Sequence, residues 1–267
     1  MTANTTFRAG QGPTTAPTFE VRLARDADDL RAAQSLRYDV FVEELGGSGA
    51  MVDHDARLER DEFDAHADHL LLFDHARKGA PVVGVYRLIR DDQADRFGRF
   101  YSETEYDLSV LRRSGRRLLE LGRSCLHADY RGGSAMYELW NGLADYVQAH
   151  RVDLLFGTAS FHGTDAGRLA PALSLLHHRH LAPPELRARA RPDHFQSMNL
   201  MAEDDIDRLA AMKSVPALIK AYLRLGGTVG EGAWIDHAFN TTDVLLIMDT
   251  ARLNKTRRAI YTGGRAR

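Results

Sequence analysis

One stretch constrains the fold more than any other: Leu119 to Trp140, LELGRSCLHADYRGGSAMYELW. It begins as a strand, turns at Arg131-Gly132-Gly133-Ser134 and continues as a helix. The helix is read from Ala135, Met136, Leu139, Trp140, Leu143, Ala144 and Val147, which repeat with a 3.6-residue period. A helix N-terminus has unpaired N–H groups and a partial positive charge, and glycines just before it let a bound group come close. The turn is therefore a candidate phosphate cradle, against the plainer reading of a glycine-rich turn capped by Ser134. Within the strand, strict alternation sets Glu120 and Arg123 on opposite faces. Gly122 between them suggests a bulge, which would bring both side chains to one face and free backbone N–H groups to stabilise an oxyanion.

The remaining segments alternate strands with helices. Phe19 to Ala24 reads as a strand, followed by a helix capped by Asp26 and running through Leu30, Ala33, Leu36, Val40 and Phe41. Asp68–Asp74 and Pro81–Arg90 form a hairpin, Arg116–Leu126 and Asp153–Phe161 are strands, and Asp243–Thr250 is a late strand. A helix capped by Thr164 or Asp165 follows Phe161, with Pro171 against its middle, and another spans about 215 to 225, ending at Gly226-Gly227. The expected class is α/β, a mixed central sheet flanked by helices. We expect one domain over residues 19–250 with a C-terminal extension from about 200, a disordered tail at 1–18 and a basic tail at 251–267.

Charge and cysteine content narrow the function. A net charge of -2 argues against general nucleic-acid binding. The single cysteine, Cys125, rules out an internal disulfide and favours an intracellular setting. No apolar run approaches the ~20 residues of a membrane span, and residues 1–18 lack a signal core. The arginine clusters at 112–117, 187–191 and 252–267 are solvated surface or a docking face for an acidic protein or an anionic membrane.

The strand, turn and helix at 119–140 resemble the core of the GNAT acyltransferases, whose R/Q-x-x-G-x-G/A loop grips the pyrophosphate of coenzyme A. Tyr130-Arg131-Gly132-Gly133-Ser134-Ala135 is a compressed version of that loop. A donor with a single phosphate, such as phosphopantetheine on acyl carrier protein, needs less of a cradle. LRYDVFVEELG (Leu36–Gly46), DEFD (Asp61–Asp64), GVYRLI and LELGRSCL occur in an order similar to the acyl-homoserine-lactone synthases. That resemblance implies functional positions at Arg37, Phe41, Asp61, Asp64, Arg87, Glu120 and Arg123. FGTASFHGTD and the segment from Pro216 to Asp249 resemble the L-ornithine N(α)-acyltransferases, which move a 3-hydroxyacyl chain from acyl carrier protein to the α-amine of ornithine.

The resemblance implies these roles. Glu120 acts as base, or else forms a structural ion pair with Arg123. Arg123 orients Glu120 or binds substrate, and amides near Gly122 hold the oxyanion. Arg87 or Arg37 pairs with the ornithine carboxylate, and Asp61 or Asp64 with its δ-ammonium. Arg131, Gly132, Gly133 and Ser134 hold the phosphopantetheine phosphate. Phe41, Trp140 or Phe156 line an acyl slot or belong to the core. No metal is expected at Asp64, His66, Asp68 and His69, no acyl-enzyme at Cys125, and no cofactor beyond the phosphopantetheine of the donor. The expected partners are acyl carrier protein and ornithine, with the enzyme in the cytoplasm and touching the inner membrane face. The alternatives are an N-acyl amino acid or acyl-homoserine-lactone-type synthase with another acceptor, and a non-catalytic, haemolysin-like membrane-binding protein.

Overall fold

A computed structural model describes residues 16–252. The expected tails, 1–18 and 251–267, therefore lie outside the described residues except at 16–18 and 251–252. Strand β1 (Phe19–Leu23) leads into helix α1 (Ala27–Arg37), which runs on as a π-helical turn (Tyr38–Glu44). Next come β2 (Asp68–Asp74), β3 (Val82–Arg90), α2 (Asp91–Phe97), β4 (Tyr106–Asp107) and α3 (Ser109–Arg112). The middle of the chain runs β5 (Leu118–Leu126), α4 (Ala135–His150), β6 (Leu154–His162) and α5 (Ala166–His180). The last part holds β7 (Arg189–Ala190), β8 (Phe195–Gln196), α6 (Arg208–Ser214), α7 (Ala217–Arg224), β9 (Thr228–Val229), β10 (Ala233–Asp236) and β11 (Thr241–Asp249).

The main sheet has the order β1-β2-β3-β5-β6-β11-β10-β8, with β9 also pairing β11. The β5–β6 pair is parallel, as the intervening α4 crossover requires, and the other pairings are antiparallel. Alternation along β2 buries both faces. Leu71 and Phe73 meet Ala33, Leu36 and Val40 from the first helix, whereas Leu70 and Leu72 meet Leu139 and Leu143 of α4. A second apolar cluster, including Phe100, Leu108, Leu111, Phe156, Leu245 and Ile247, covers the other half of the sheet. Far from trailing off, the segment after residue 200 supplies β11, which pairs with β6 from Thr241↔His162 to Asp249↔Leu154.

The caps follow from local chemistry. Asp26 accepts from the N–H groups of Asp28 and Asp29, and Asp165 from those of Gly167 and Arg168. Pro171 is accommodated inside α5. Ser134 stands at the α4 cap position, yet its hydroxyl makes no capping bond. The first helix departs from the expected regular period. Its turn widens after Arg37, and the Leu45 N–H reaches the Val40 carbonyl five residues back. Helices α2 and α6 and strand β10 gave no sequence signal, because they are seven, seven and four residues long and too short for a period to show.

The feature that makes a site is the failure of β5 and β6 to stay together. They pair at Leu118↔Leu154, Leu119↔Leu155 and Glu120↔Phe156, and no further. Beyond that point the two strands splay, so alternate backbone groups on their facing edges are turned into a cleft. Gly157 sits at the fork, where an added Cβ would lie 2.1 Å from the Leu121 carbonyl oxygen. Gly157→Ala is expected to lower unfolding free energy by about 1–3 kcal/mol in urea titration, the usual cost of overpacking. An unchanged midpoint would mean that the fork is not under this constraint.

Candidate active site

The cleft is a cavity of about 430 Å³ between β5 and β6. Its walls are mostly apolar, with Phe41, Leu121, Phe156, Leu218, Leu246 and Met248 among them. Glu120 and Arg123 both reach it, and a bulge is the cause. Val85 and Arg87 of β3 pair with Cys125 and Gly122, so β5 carries one extra residue over that span. The strained residue is Arg123, with φ 50°, one position after the glycine. Gly122 serves a different need. The Arg87 guanidinium passes beside it, and a Cβ there would lie 3.7 Å from Nε and 3.9 Å from Nη2.

Sharing a cavity does not make Glu120 and Arg123 partners. The Glu120 carboxylate accepts from the Tyr101 N–H at 2.8 Å, the Ser102 N–H at 2.6 Å and the Ser102 hydroxyl. It thus pins the turn at Tyr101–Thr104 to β5. Burial pushes its pKa up, and these hydrogen bonds oppose the rise. Arg123 instead donates from Nε to Glu59 at 3.1 Å and from Nη2 to Asp61 at 2.9 Å. The Glu120–Arg123 ion pair, the alternative to a base role for Glu120, is not formed.

Those two bonds belong to a closed ring. Glu59 also accepts from Arg37, Arg37 donates to Asp64 at 2.7 Å, Arg87 donates to Asp64 at 3.0 Å, and Arg87 donates to Asp61. Three guanidiniums and three carboxylates alternate around it, with Gln34 adding a 3.0 Å bond to Asp64. The Tyr101 ring lies 5.3 Å from the Arg87 guanidinium carbon and 4.8 Å from that of Arg123. Burial alone would raise the pKa values of Glu59, Asp61 and Asp64. The arginines outweigh it and hold all three below the usual carboxylate range.

The cavity carboxylates behave in the opposite way. Glu105 and Asp243 are 2 % and 5 % exposed, and Glu105 Oε2 and Asp243 Oδ1 have no hydrogen-bond partner among the described residues. Burial, with Asp243, Asp236 and Glu120 nearby, pushes Glu105 well up. Burial also lifts Asp243 to about 6. One cavity arginine has spare donors as well, since Arg87 Nε and Nη2 are buried without partners among the described residues.

The sequence-derived positions thus divide. Arg87, Phe41, Glu120, Gly122, Arg123 and Phe156 line the cavity. Arg37, Asp61 and Asp64 do not, and their charges are matched within the ring. Trp140 also stays off the wall, and its indole N–H donates to the Tyr86 hydroxyl at 3.1 Å. The Arg131–Ser134 turn is exposed outside the cavity, beyond the C-terminal end of β5. Arg131 forks onto Glu44 and bonds the Leu126 carbonyl, which leaves the backbone of Gly132 and Gly133 open to solvent. Cys125 is buried among Ala33, Leu71 and Val85, and burial pushes its thiol to about 12, which leaves no thiolate for nucleophilic attack. Among the described residues no group of three or more His, Cys, Asp or Glu is placed to hold a metal ion, and no helix is long and apolar enough to cross a membrane. Glu59, Tyr101, Glu105 and Asp243 escaped the sequence reading. A usable signal was the isolated acid heading the apolar run of β11.

Two stability tests follow. Glu59→Gln strips one charge from a closed buried ring and leaves Arg37 and Arg123 under-compensated. A loss of about 3–5 kcal/mol is expected from denaturant unfolding, and a loss below 1 kcal/mol would show the ring to be slack. Asp243→Asn should stabilise the protein in a pH-dependent way. The ordinary value is 3.8 and the folded value about 6, so the unfolded chain ionises first as pH rises. The native carboxyl therefore costs nothing below pH 3.8 and, for a shift of about two units, roughly 3 kcal/mol above pH 6. The variant should gain that amount at pH 7.5 and none near pH 3.5; an equal gain at both would refute the buried-charge explanation.

Comparison with known proteins agrees with this geometry. The acetyltransferase (GNAT) domain model matches residues 36–141. The acyl-homoserine-lactone synthase LasI superposes with a TM-score of 0.50 at 16% identity, covering 93% of this chain and 97% of that one. The protein thus has the mixed sheet of the GNAT acyltransferases, as expected. An L-ornithine N(α)-acyltransferase of Rhodobacter capsulatus is 59% identical over 91% of this chain and 95% of its own length. Its namesake from Brucella abortus is 42% identical over 93% and 90%. With identity at this level over nine-tenths of its length, the chain is a member of the L-ornithine N(α)-acyltransferase family.

Proposed function

We propose that the protein transfers a 3-hydroxyacyl chain from the phosphopantetheine of acyl carrier protein to the α-amine of L-ornithine, giving lyso-ornithine lipid. The observation that carries this reading is the cavity at the β5–β6 fork, where an apolar wall, a buried carboxylate and an arginine with two free donors meet. The family relationship supports the acceptor.

Aminolysis of a thioester needs a neutral amine, so the α-ammonium must first lose a proton. Glu120, with its pKa raised by burial, takes it directly or through a water. The amine nitrogen then attacks the thioester carbon, and the new C–N bond places negative charge on the carbonyl oxygen. Backbone N–H groups on the splayed edge of β5 are suitable donors for that oxygen. Collapse breaks the C–S bond, and the surplus proton on the new C–N nitrogen passes to the departing sulfur. Phosphopantetheine thus leaves as its thiol, and Glu120 releases the first proton to solvent. The ornithine carboxylate suits the Arg87 Nε–Nη2 edge, since a guanidinium edge meets a carboxylate with two parallel bonds. The acyl chain suits the wall of Phe41, Phe156, Leu218 and Met248. The open backbone of Gly132 and Gly133, ahead of the α4 N-terminus, suits the single phosphate of the donor.

The test is incubation with 3-hydroxyacyl–acyl carrier protein and a panel of amino acids, read by mass spectrometry. Wild type should yield N-acyl-ornithine. Glu120→Gln should lower kcat by 100-fold or more, with KM for ornithine within about threefold. Undiminished kcat in a folded variant would remove Glu120 from the chemistry, and product on a different amine alone would displace ornithine as acceptor.

A further inference from the structure

The interior of this protein keeps two carboxylates that the chemistry above does not use. Glu105 closes the turn that Glu120 pins, and its backbone is tied on both sides: its N–H donates to the Ser102 carbonyl at 3.1 Å and its carbonyl accepts from Arg191 N–H at 2.8 Å. Asp243 lies in β11, opposite Ser160 of β6 and Trp234 of β10. Each side chain is more than nine-tenths buried, each lines the cavity, and each has an oxygen without a partner. Asp236, at the end of β10, adds a third acid to the same wall, though its Oδ1 is occupied by the N–H groups of Ala238 and Phe239. Among the described residues no lysine or arginine forms an ion pair with Glu105 or Asp243, whereas every acid of the neighbouring ring has at least two.

Buried charge of one sign, left open to a cavity, is costly unless something else brings the opposite charge. The fold has arginines within reach of the cavity and spends them on Glu59, Asp61 and Asp64. What is missing from the Glu105–Asp243 pole is a cation that arrives from solution. The cavity already offers the Arg87 edge to a carboxylate. A small molecule with a carboxylate at one end and an ammonium at the other completes both poles at once.

We infer that Glu105 and Asp243 form the binding site for the side-chain ammonium of the amine acceptor, and so select a basic α-amino acid over neutral or acidic ones. This deepens the function proposed above and rests on it. It also reassigns a role: the sequence pointed to Asp61 or Asp64 for this ammonium, but both are matched to arginines and lie off the cavity wall. A neutral acceptor of the same length leaves the pole unpaired on binding, which is the situation in which a polar site rejects an analogue strongly.

The discriminating experiment compares L-ornithine with L-norvaline, which has the same carbon chain and no δ-amine. Both are offered with 3-hydroxyacyl–acyl carrier protein to wild type, Glu105→Gln and Asp243→Asn. Wild type should favour ornithine in kcat/KM by 100-fold or more. Each variant should lose at least tenfold on ornithine, mainly through KM, while norvaline turnover holds or rises, so the ratio collapses. Each variant keeps the size and shape of the acid it replaces, and circular dichroism checks that it is folded. A parallel fall on both acceptors would assign the two acids a merely structural part and overturn the inference. Equal use of ornithine and norvaline by wild type would overturn it while leaving the acyltransferase reading intact. Wild type inert towards every amine would overturn the function, and this assignment with it.

Discussion

The architecture of the site depends on one closed ring of charge. Arg37 comes from α1, Arg87 from β3 and Arg123 from the bulge of β5, while Glu59, Asp61 and Asp64 come from the loop before β2. Every ion pair in it joins residues at least 22 positions apart in the chain. The ring therefore ties three elements and one long loop into a single register, and it compensates the positive φ of Arg123. Without the ring, β5 has no evident reason to hold its extra residue, and Glu120 and Arg123 would revert to opposite faces of the sheet.

The ring also explains why two groups of carboxylates, in one small protein, are driven in opposite directions. Those enclosed by arginines are held ionised despite burial. Those on the cavity wall feel burial and one another, and rise. Such separation of environments is how a fold distinguishes acids that build from acids that work. The first group resembles a substrate site in composition alone, which is how a reading by residue type places Asp61 and Asp64 on the ligand.

The sequence carried the sheet, the principal helices and the cleft-forming strand, because these rest on local periodicity and on caps such as Asp26 and Asp165. It also carried the bulge, though one residue early: glycine marks tolerance of odd backbone, and here the oddness was absorbed by Arg123 while Gly122 made room for Arg87. Phe41, Arg87, Glu120, Gly122 and Arg123 were named from the sequence and do line the cleft, but their partnerships were illegible. Which arginine meets which acid is decided between segments far apart in the chain, 64 residues in the case of Arg123 and Glu59. Glu105 and Asp243 gave no periodic signal, since their importance lies in one buried oxygen of each that no described residue satisfies.

The placement of β11 bears on how such an enzyme comes into being. Residues 241–249 are the last long strand described, yet they occupy the middle of the sheet and close the cavity with Asp243, Leu246 and Met248. A chain emerging from the ribosome can assemble β1 to β5 and the charge ring first. It has an unwalled trough and an unpaired edge on β6 until those residues emerge. Catalytic competence is thus acquired in one late step, and the exposed β6 edge in the nascent chain is the natural point at which folding and self-association compete.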